Sequence, residues 1–452
     1  ACPVADAPGV RDHVAALQRY QRDEGLLYMF CCNHAQNEYC WGQGGPGAML
    51  PDPDAWEGAS DVTPWYGRCC FPRLRAMVSG PTPLWMQQQI GRDLRALAAA
   101  RRPWPSRAEV EAFVAALPAG ERRRFCEYHL SVDGQIRHCN FTERGYDARK
   151  DLRARVLARS LRLLAMRGEL PRAELSFVFS HADVEWEDFD IPVVTFQRGK
   201  AAKRIVRVPM WEQLDGSWSR RVEQTVLSHD SNWPFERKQG GKVFWRGTDS
   251  AVPAGDCDPR DGYPTCEVSD RTIHHFPRLR LVQLSNLNPR RIDAKLSGTK
   301  LRSLAVGHDR LYRRLGLLER GAREWTIDDQ LKFRYLLDVD GSSQSTRLYW
   351  VLLSNSVVLK QATRCCNWFS DRLKPLAHAV PLRRDLADLP LRAAWLQRRP
   401  KLARSVARRG AALARRRLSH EDAMHYLARV IAALADFRMH SLGYESPGAL
   451  SA

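Results

Sequence analysis

The stretch LKFRYLLDVDGSSQSTRLYWVLLSNSVVLKQATRCCNWFSDRLKPLAHAVPLRR, residues 331–384, leaves this chain few folds to choose from. An apolar run, Tyr335-Leu336-Leu337, stops in acidic and small residues from Asp338 to Thr346. Arg347 follows, then helical spacing from Leu348 to Leu353, then a second apolar run from Val357 to Leu359. The pattern predicts a β-loop-α-β unit with its small-residue loop at the carboxyl end of the first strand. Ligands bind at that end in open α/β sheets. A helix N-terminus there offers free N–H groups and a positive dipole end to an anion. Arg347 adds a planar fork suited to phosphate. On this pattern Gly341, Ser343, Ser345 and Arg347 make a phosphate cradle, although the two serines also suit helix capping.

The rest of the chain extends the α/β reading. Leu175 to Ser180, Ile191 to Phe196, Val243 to Trp245 and Phe333 to Leu337 read as buried strands, and Leu279 to Leu287 as a helix. Their alternation up to about residue 400 predicts βα units with parallel pairing. Residues 85–165 read as mostly helical, with apolar residues three and four apart over Ala108–Leu117 and Ala148–Met166 and Ser106 as an N-cap. A last helix starts at Ser419, with Asp422 as its capping-box acid. Its apolar stripe from Ala423 to Leu434 must dock on something. Residues 1–80 read as a cysteine-rich cap of loops, with one helix from Gly9 to Asp23. We expect domains at 81–235 and 236–415, with the hinge at Asn232–Gly241, and a C-terminal helical segment, 416–452, packing back on the first domain.

At 452 residues the chain has room for two or three domains. It holds no run of eighteen apolar residues, so no membrane span is expected. It begins ACPVAD, without Met or a basic–apolar leader, and reads as a mature form from which a signal or anchor was removed. Twelve cysteines and one sequon, Asn140-Phe141-Thr142, point to the secretory lumen, the endoplasmic reticulum or Golgi. Cys257 with Cys266 is the most plausible local bridge. Cys126 with Cys139 is expected as a disulfide rather than as a zinc set with His129 and His138, which are expected on the surface. The adjacent pairs, Cys365-Cys366 among them, lack redox spacing and read as bridges to different partners. The net charge of +19 exceeds what one bound phosphate ligand needs. It leans toward an acidic acceptor or a lipid surface, or is a solvated arginine face. The arginine-rich run 392–417 has an apolar side, and no nucleic-acid motif accompanies it.

Two further constellations carry chemistry. Trp245-Arg246-Gly247-Thr248 sits at a strand end, where Gly247 lets a ligand approach the backbone and Arg246 meets a phosphate. Asp183 follows the strand that ends at Ser180 and can serve as general base for an attacking hydroxyl. Its rivals are Glu185, Glu187, Asp188 and Asp190. Asp338-Val339-Asp340 has D-x-D spacing, which binds a divalent metal in some transferases, but Arg347 already supplies the positive charge.

YLLDVDGSSQSTRLYWVLLSNSVVLKQ and WFSDRLKPLAHAVPLRRDLADL, together with VFWRGTDS at 243–250 and, more loosely, ELSFVFSHADVEWEDFDIPVVTF at 174–196, resemble the CAP10-type glycosyltransferases, family GT90. That family includes protein O-glucosyltransferases and capsule xylosyltransferases. The resemblance implies a GT-B-like fold of two facing Rossmann-like domains and an inverting transfer of glucose or xylose from a UDP-sugar to a hydroxyl of a protein or glycan. It assigns Asp183 as the catalytic base. It assigns Arg246 and Arg347 to the donor diphosphate, with no metal; with the strand-end pattern, the donor site is expected to comprise Trp245, Arg246, Gly247, Gly341, Ser343 and Arg347, with no cofactor. The family often has an aromatic-Pro pair after its aspartate, whereas Val184-Glu185-Trp186 stand here. The competing expectations are a basic lectin or polyanion-binding protein without catalysis, and a metal-dependent transferase using Asp338 and Asp340.

Overall fold

The computed structural model describes residues 82–99, 103–141, 143, 148–185, 187–250, 253, 255–257, 266–297, 307–318 and 325–441. The expected cap, with its helix Gly9–Asp23, lies outside them.

The first half is built from α1 (Leu84–Ala99), α2 (Arg107–Ala116), β1 (Phe125–Leu130), β2 (Ile136–His138), α3 (Ala148–Met166), β3 (Leu175–Ser180), β4 (Val193–Thr195), β5 (Arg198–Gly199), β6 (Ile205–Arg207) and α4 (Gly216–Asn232). Five strands form one sheet in the order β2-β1-β3-β4-β6. β3, β4 and β6 run parallel, while β1 is antiparallel to both of its neighbours. Residues 85–165 are therefore not only helical: a hairpin interrupts them. The Ser106 side chain accepts from the Glu109 backbone and the Glu109 side chain from that of Ser106, a capping box that fixes the start of α2.

The second half contains β7 (Gln239–Gly247), α5 (Pro277–Leu287), β8 (Ile292–Leu296), β9 (Phe333–Asp338), α6 (Arg347–Leu353), β10 (Val357–Gln361), β11 (Cys365–Cys366), β12 (Val380–Leu382), α7 (Leu389–Gln397) and α8 (Pro400–Arg417). Its sheet, β12-β10-β9-β7-β8, is parallel throughout. The strands are apolar on both faces, as a parallel sheet covered on each side requires. Phe244, Leu336 and Val358 point toward one core, and Val243, Trp245, Tyr335, Leu337 and Leu359 toward the other.

The chain then returns as α9 (His420–Ser441), which lies against α1, α3, α4 and β3 of the first half. Ser419 and Asp422 exchange hydrogen bonds at its start. Tyr426 stacks on Trp85, and Phe437 meets Trp104 edge-on.

The halves are joined by more than the chain. β5 of the first pairs with β11 of the second in a two-stranded antiparallel ladder, extended by Lys200 N–H donating to the Arg364 carbonyl at 2.7 Å. Buried Arg207 pairs with Asp93 at 2.7 Å and also donates to the Asn367 carbonyl at 3.1 Å. Cys126–Cys139 and Cys257–Cys266 are disulfides. Cys365 and Cys366 correct the expectation of bridges: both are free, buried thiols in β11. Their places are set by the ladder, which turns Cys365 Sγ to the Gln344 N–H and Cys366 Sγ to the Arg198 carbonyl. His129 and His138 are not surface groups either. Both are largely buried, His129 on the Ser176 hydroxyl and His138 stacked on Phe141.

Candidate functional site

In the second sheet β7 and β9 are neighbours, β8 lies outside β7, and β10 lies outside β9. The chain leaves the two central strands in opposite directions. The crevice at their carboxyl ends is thus a topological switch point, where doubly wound folds bind ligands. Trp245, Arg246 and Gly247 close β7 there, and residues 338–346 lead from β9 into α6.

Arg347 opens α6. Its Nη2 donates to the Arg246 carbonyl at 2.6 Å and its Nη1 to Gln330 at 3.5 Å, and the guanidinium lies over the rings of Trp245 and Trp350. α6 is only seven residues long, and the Ser345 hydroxyl accepts from its first N–H at 3.4 Å. Anion binding here therefore falls on side chains more than on a helix dipole.

Arg246 is placed differently. It pairs with Asp293 of β8 at 2.8 Å, donates to the Trp245 and Asp293 carbonyls, each at 3.0 Å, and packs on Phe244 and Trp325. The Arg347 guanidinium meets the main chain of Arg246, not its side chain.

The glycines serve protein packing. A Cβ on Gly247 would come within 2.7 Å of the Trp245 ring and 3.2 Å of Arg347 Nη2. One on Gly341 would come within 2.9 Å of Arg278 Nη2. Gly341 N–H donates to the Ser343 carbonyl at 2.9 Å, which curls the loop. The Ser343 hydroxyl accepts from Gln197 of the first half at 3.3 Å, and Gln197 also accepts from Gln344 N–H at 2.9 Å. The loop after β9 therefore faces the strand ends of the first sheet across the crevice.

Asp338 and Asp340 turn to Lys360 of β10, at 2.9 and 3.9 Å. Burial raises the Asp340 pKa, and Lys360 opposes that rise. An ammonium thus occupies the place beside these acids that a D-x-D reading gives to a metal.

In the first half, Asp183 follows β3 with its side chain 40% exposed. Arg153 holds it in an ion pair and also donates to the His181 carbonyl at 2.9 Å. His181 is fully buried, and burial drives its pKa down to about 3, so it is neutral at physiological pH. Among the rivals, Glu185 is buried and bound by Ser180 and by Arg124 at 3.2 Å. Asp188 accepts from the N–H groups of Lys203 and Arg204.

Two cavities border this crevice. One, small, lies between the halves and is lined by Gln197, Met210, Trp218, Gln344 and Tyr349. The other, also small, opens at the ends of β9 and β10 and is lined by Pro277, Gly341, Ser343, Thr363 and Arg384.

Tyr349, on the first cavity, donates to the carboxylate of Glu223 on α4. Burial raises the Glu223 pKa to about 7, Glu421 and Asp422 push the same way, and the Tyr349 bond and Arg220 oppose them. The folded protein thus favours the protonated acid. That contribution to stability is complete below the ordinary value of 4.5 and is lost as pH climbs through about 7. Thermal unfolding followed from about pH 5 to about pH 8 should show a falling Tm. Glu223→Gln should flatten the fall, and an equal slope in both proteins would rule Glu223 out as its source.

Residues 270–441 match the family model described as Glycosyl transferase family 90. The match includes Gly341, Ser343 and Arg347 and begins after Trp245–Gly247. Protein O-glucosyltransferase 3 of Homo sapiens is 30% identical over 159 residues, 35% of this chain and 29% of that protein. Protein O-glucosyltransferase 1 of Rattus norvegicus is 23% identical over 266 residues, 59% of this chain and 58% of that protein. The chain thus spans under two thirds of the length of either relative. Among solved structures, a glycosyltransferase from Rickettsia africae aligns with a TM-score of 0.32 at 10% identity, over 54% of this chain and 63% of that one. The likeness to glycosyl transferase family 90 thus lies over residues 270–441, which form most of the crevice.

Proposed function

We propose that this protein is an inverting glycosyltransferase that moves a sugar, glucose or xylose, from a UDP-sugar to a hydroxyl of a protein or glycan acceptor. The observation that carries the reading is Arg347, a charged group at the switch point whose hydrogen-bond acceptors among the described residues, Gln330 and the Arg246 carbonyl, are neutral. The names of the relatives, protein O-glucosyltransferases, support the reaction class and a protein acceptor. In this reading the donor diphosphate lies over the loop from Gly341 to Ser343, against Arg347. The acceptor hydroxyl comes from the side of the first sheet. Asp183 takes its proton as the oxygen attacks the anomeric carbon and the bond from that carbon to the diphosphate breaks. Charge gathers on the departing UDP, and fixed cations stabilise it most where water is excluded. The disulfides Cys126–Cys139 and Cys257–Cys266 support an oxidising, lumenal compartment.

The test is UDP release from UDP-glucose, UDP-xylose, UDP-galactose and UDP-glucuronic acid, with the product anomer read by NMR. We expect turnover of the glucose or xylose donor, a product of opposite anomeric configuration, and a rate unchanged by EDTA. No release from any donor refutes the activity. Retained configuration refutes the single displacement. A rate abolished by EDTA and restored by Mn²⁺ moves the chemistry to Asp338 and Asp340.

A further inference from the structure

α8 carries one lysine, six arginines and no acidic residue. Its small apolar side, between Ala403 and Ala414, packs on α6, α7 and β10. Every exposed position from Lys401 to Arg417 is lysine or arginine. Lys401, Arg404 and Arg408 follow at three- and four-residue spacing, so they line one outward stripe. Arg404 meets Glu236 at 2.9 Å, with both side chains more than half exposed, and such a pair is worth little in water. Helix stability explains only one end of this charge. Arg415, Arg416 and Arg417 sit in the last turn, where cations complement the dipole. Lys401 sits in the first turn, with no acid beside it and after exposed Arg398 and Arg399, where the dipole opposes a cation. Like charges three and four residues apart also repel. The amino half of the stripe is therefore a cost to the helix, which an external anionic surface would offset.

A second feature lies against α8. Residues 374–379 make a tight turn before β12. The N–H groups of Ala377 and His378 donate to the Lys374 carbonyl at 3.2 and 3.0 Å, and that of Leu376 to the Ala379 carbonyl at 2.8 Å. Arg409 of α8 grips the turn, donating to the Ala377 and Leu376 carbonyls, each at 3.0 Å. Gly410 lets the helix come so close, because a Cβ there would lie 2.8 Å from the His378 carbonyl oxygen. Leu376, at the tip after Lys374 and Pro375, has a φ of 59°, a left-handed conformation that is costly for leucine, and it is 40% exposed. Burial, then Arg372, Arg409 and Lys374, hold the His378 pKa below its ordinary value, so the tip stands in a positive field.

We propose that the α8 stripe and the Leu376 tip form one docking face for an anionic lipid surface. Lys401, Arg404, Arg408 and Lys374 lie over the headgroups, and Leu376 enters between them. Charge alone would serve a soluble polyanion, whereas an apolar side chain held outward among cations suits the boundary between headgroups and acyl chains. β12 runs parallel to the other strands of its sheet, so the turn before it lies toward the end opposite the crevice. A docked molecule thus keeps its crevice open, and the proposal does not depend on the reaction performed there.

Cosedimentation with vesicles of phosphatidylcholine, alone or with about a third phosphatidylserine, tests the face. At about 0.1 M salt we expect the anionic vesicles to bind the protein about tenfold more tightly than the neutral ones, or better, and the difference to shrink as salt rises. Lys401→Gln combined with Arg408→Gln should weaken that binding about tenfold. Leu376→Asn, which places a residue tolerant of the left-handed conformation at the tip, should weaken it about two- to threefold. All three side chains are exposed, so thermal unfolding of the variants should match the parent; should one variant not fold, the other carries the test. Equal binding to both vesicle types, binding to neither, or variants that bind like the parent overturn the proposal. So does a loss confined to the charge variant, with Leu376→Asn binding like the parent, which would point to a soluble polyanion instead.

Discussion

Asp183→Asn should abolish sugar transfer while leaving UDP affinity unchanged. A positioned general base contributes about 10²–10⁴-fold to such a step, and that is the expected loss in kcat. Asparagine keeps the shape and the contact with Arg153 but cannot take a proton. Asp183 stands first after β3 and is neither buried nor spent on the backbone, whereas Glu185 is buried beneath Ser180 and Arg124, and Asp188 caps two N–H groups. His181, held neutral by burial two residues earlier, has both ring nitrogens inside the core and is no substitute base for a hydroxyl arriving from solvent. Steady-state transfer and UDP titration on the same preparation decide the matter. A variant that still transfers at the parent rate removes Asp183 from the mechanism and returns Glu187 and Asp190 to consideration.

Arg347→Met should lower kcat/KM by about 10²–10³-fold, the usual cost of deleting one preorganised donor to a developing negative charge. Methionine refills the space between Trp245 and Trp350 without charge, so much of the packing survives. Arg246→Met is the informative contrast. It breaks an ion pair with a partly exposed aspartate and two hydrogen bonds to carbonyls. It should cost about 1–3 kcal/mol of stability and change UDP affinity less than the loss at 347 does. Chemical denaturation paired with UDP titration reads both effects. If Arg246→Met costs more UDP affinity than Arg347→Met, the roles given to the two arginines are reversed.

The β9-loop-α6-β10 unit was legible because each signal is local: an apolar run, a break of small residues, an arginine, another apolar run. The caps at Ser106 and Ser419 and the bridge Cys257–Cys266 were legible for the same reason. β1 was not. FCEYHL mixes polar and apolar residues, and its half-buried alternation makes sense only between β2 and β3, which lie elsewhere in the sequence. Arg278, which ties the loop after β7 to the loop after β9 through the Ser250 hydroxyl and the Asp340 carbonyl, was hidden by distance, since those acceptors stand 28 and 62 residues away. Gly247 and Gly341 were singled out as room for a ligand, whereas the atoms a Cβ would meet there belong to Trp245, Arg347, Arg278 and Ser250 of the protein itself. The free thiols of β11 were misread because adjacent cysteines look alike whether they are oxidised or packed.

The ladder between β5 and β11 has a mechanical consequence. Two transferase halves joined only by covalent links can gape like a hinged shell, admitting both substrates from the front. Here the shell is stitched along one rim by main-chain hydrogen bonds, reinforced nearby by Arg207 reaching across to the Asn367 carbonyl. Wide gaping would tear those stitches in each cycle and bare two thiols to solvent. Under the proposed function, reactants slide in, and spent nucleotide slides out, along the unsewn rim, with the jaw kept nearly at its working gap.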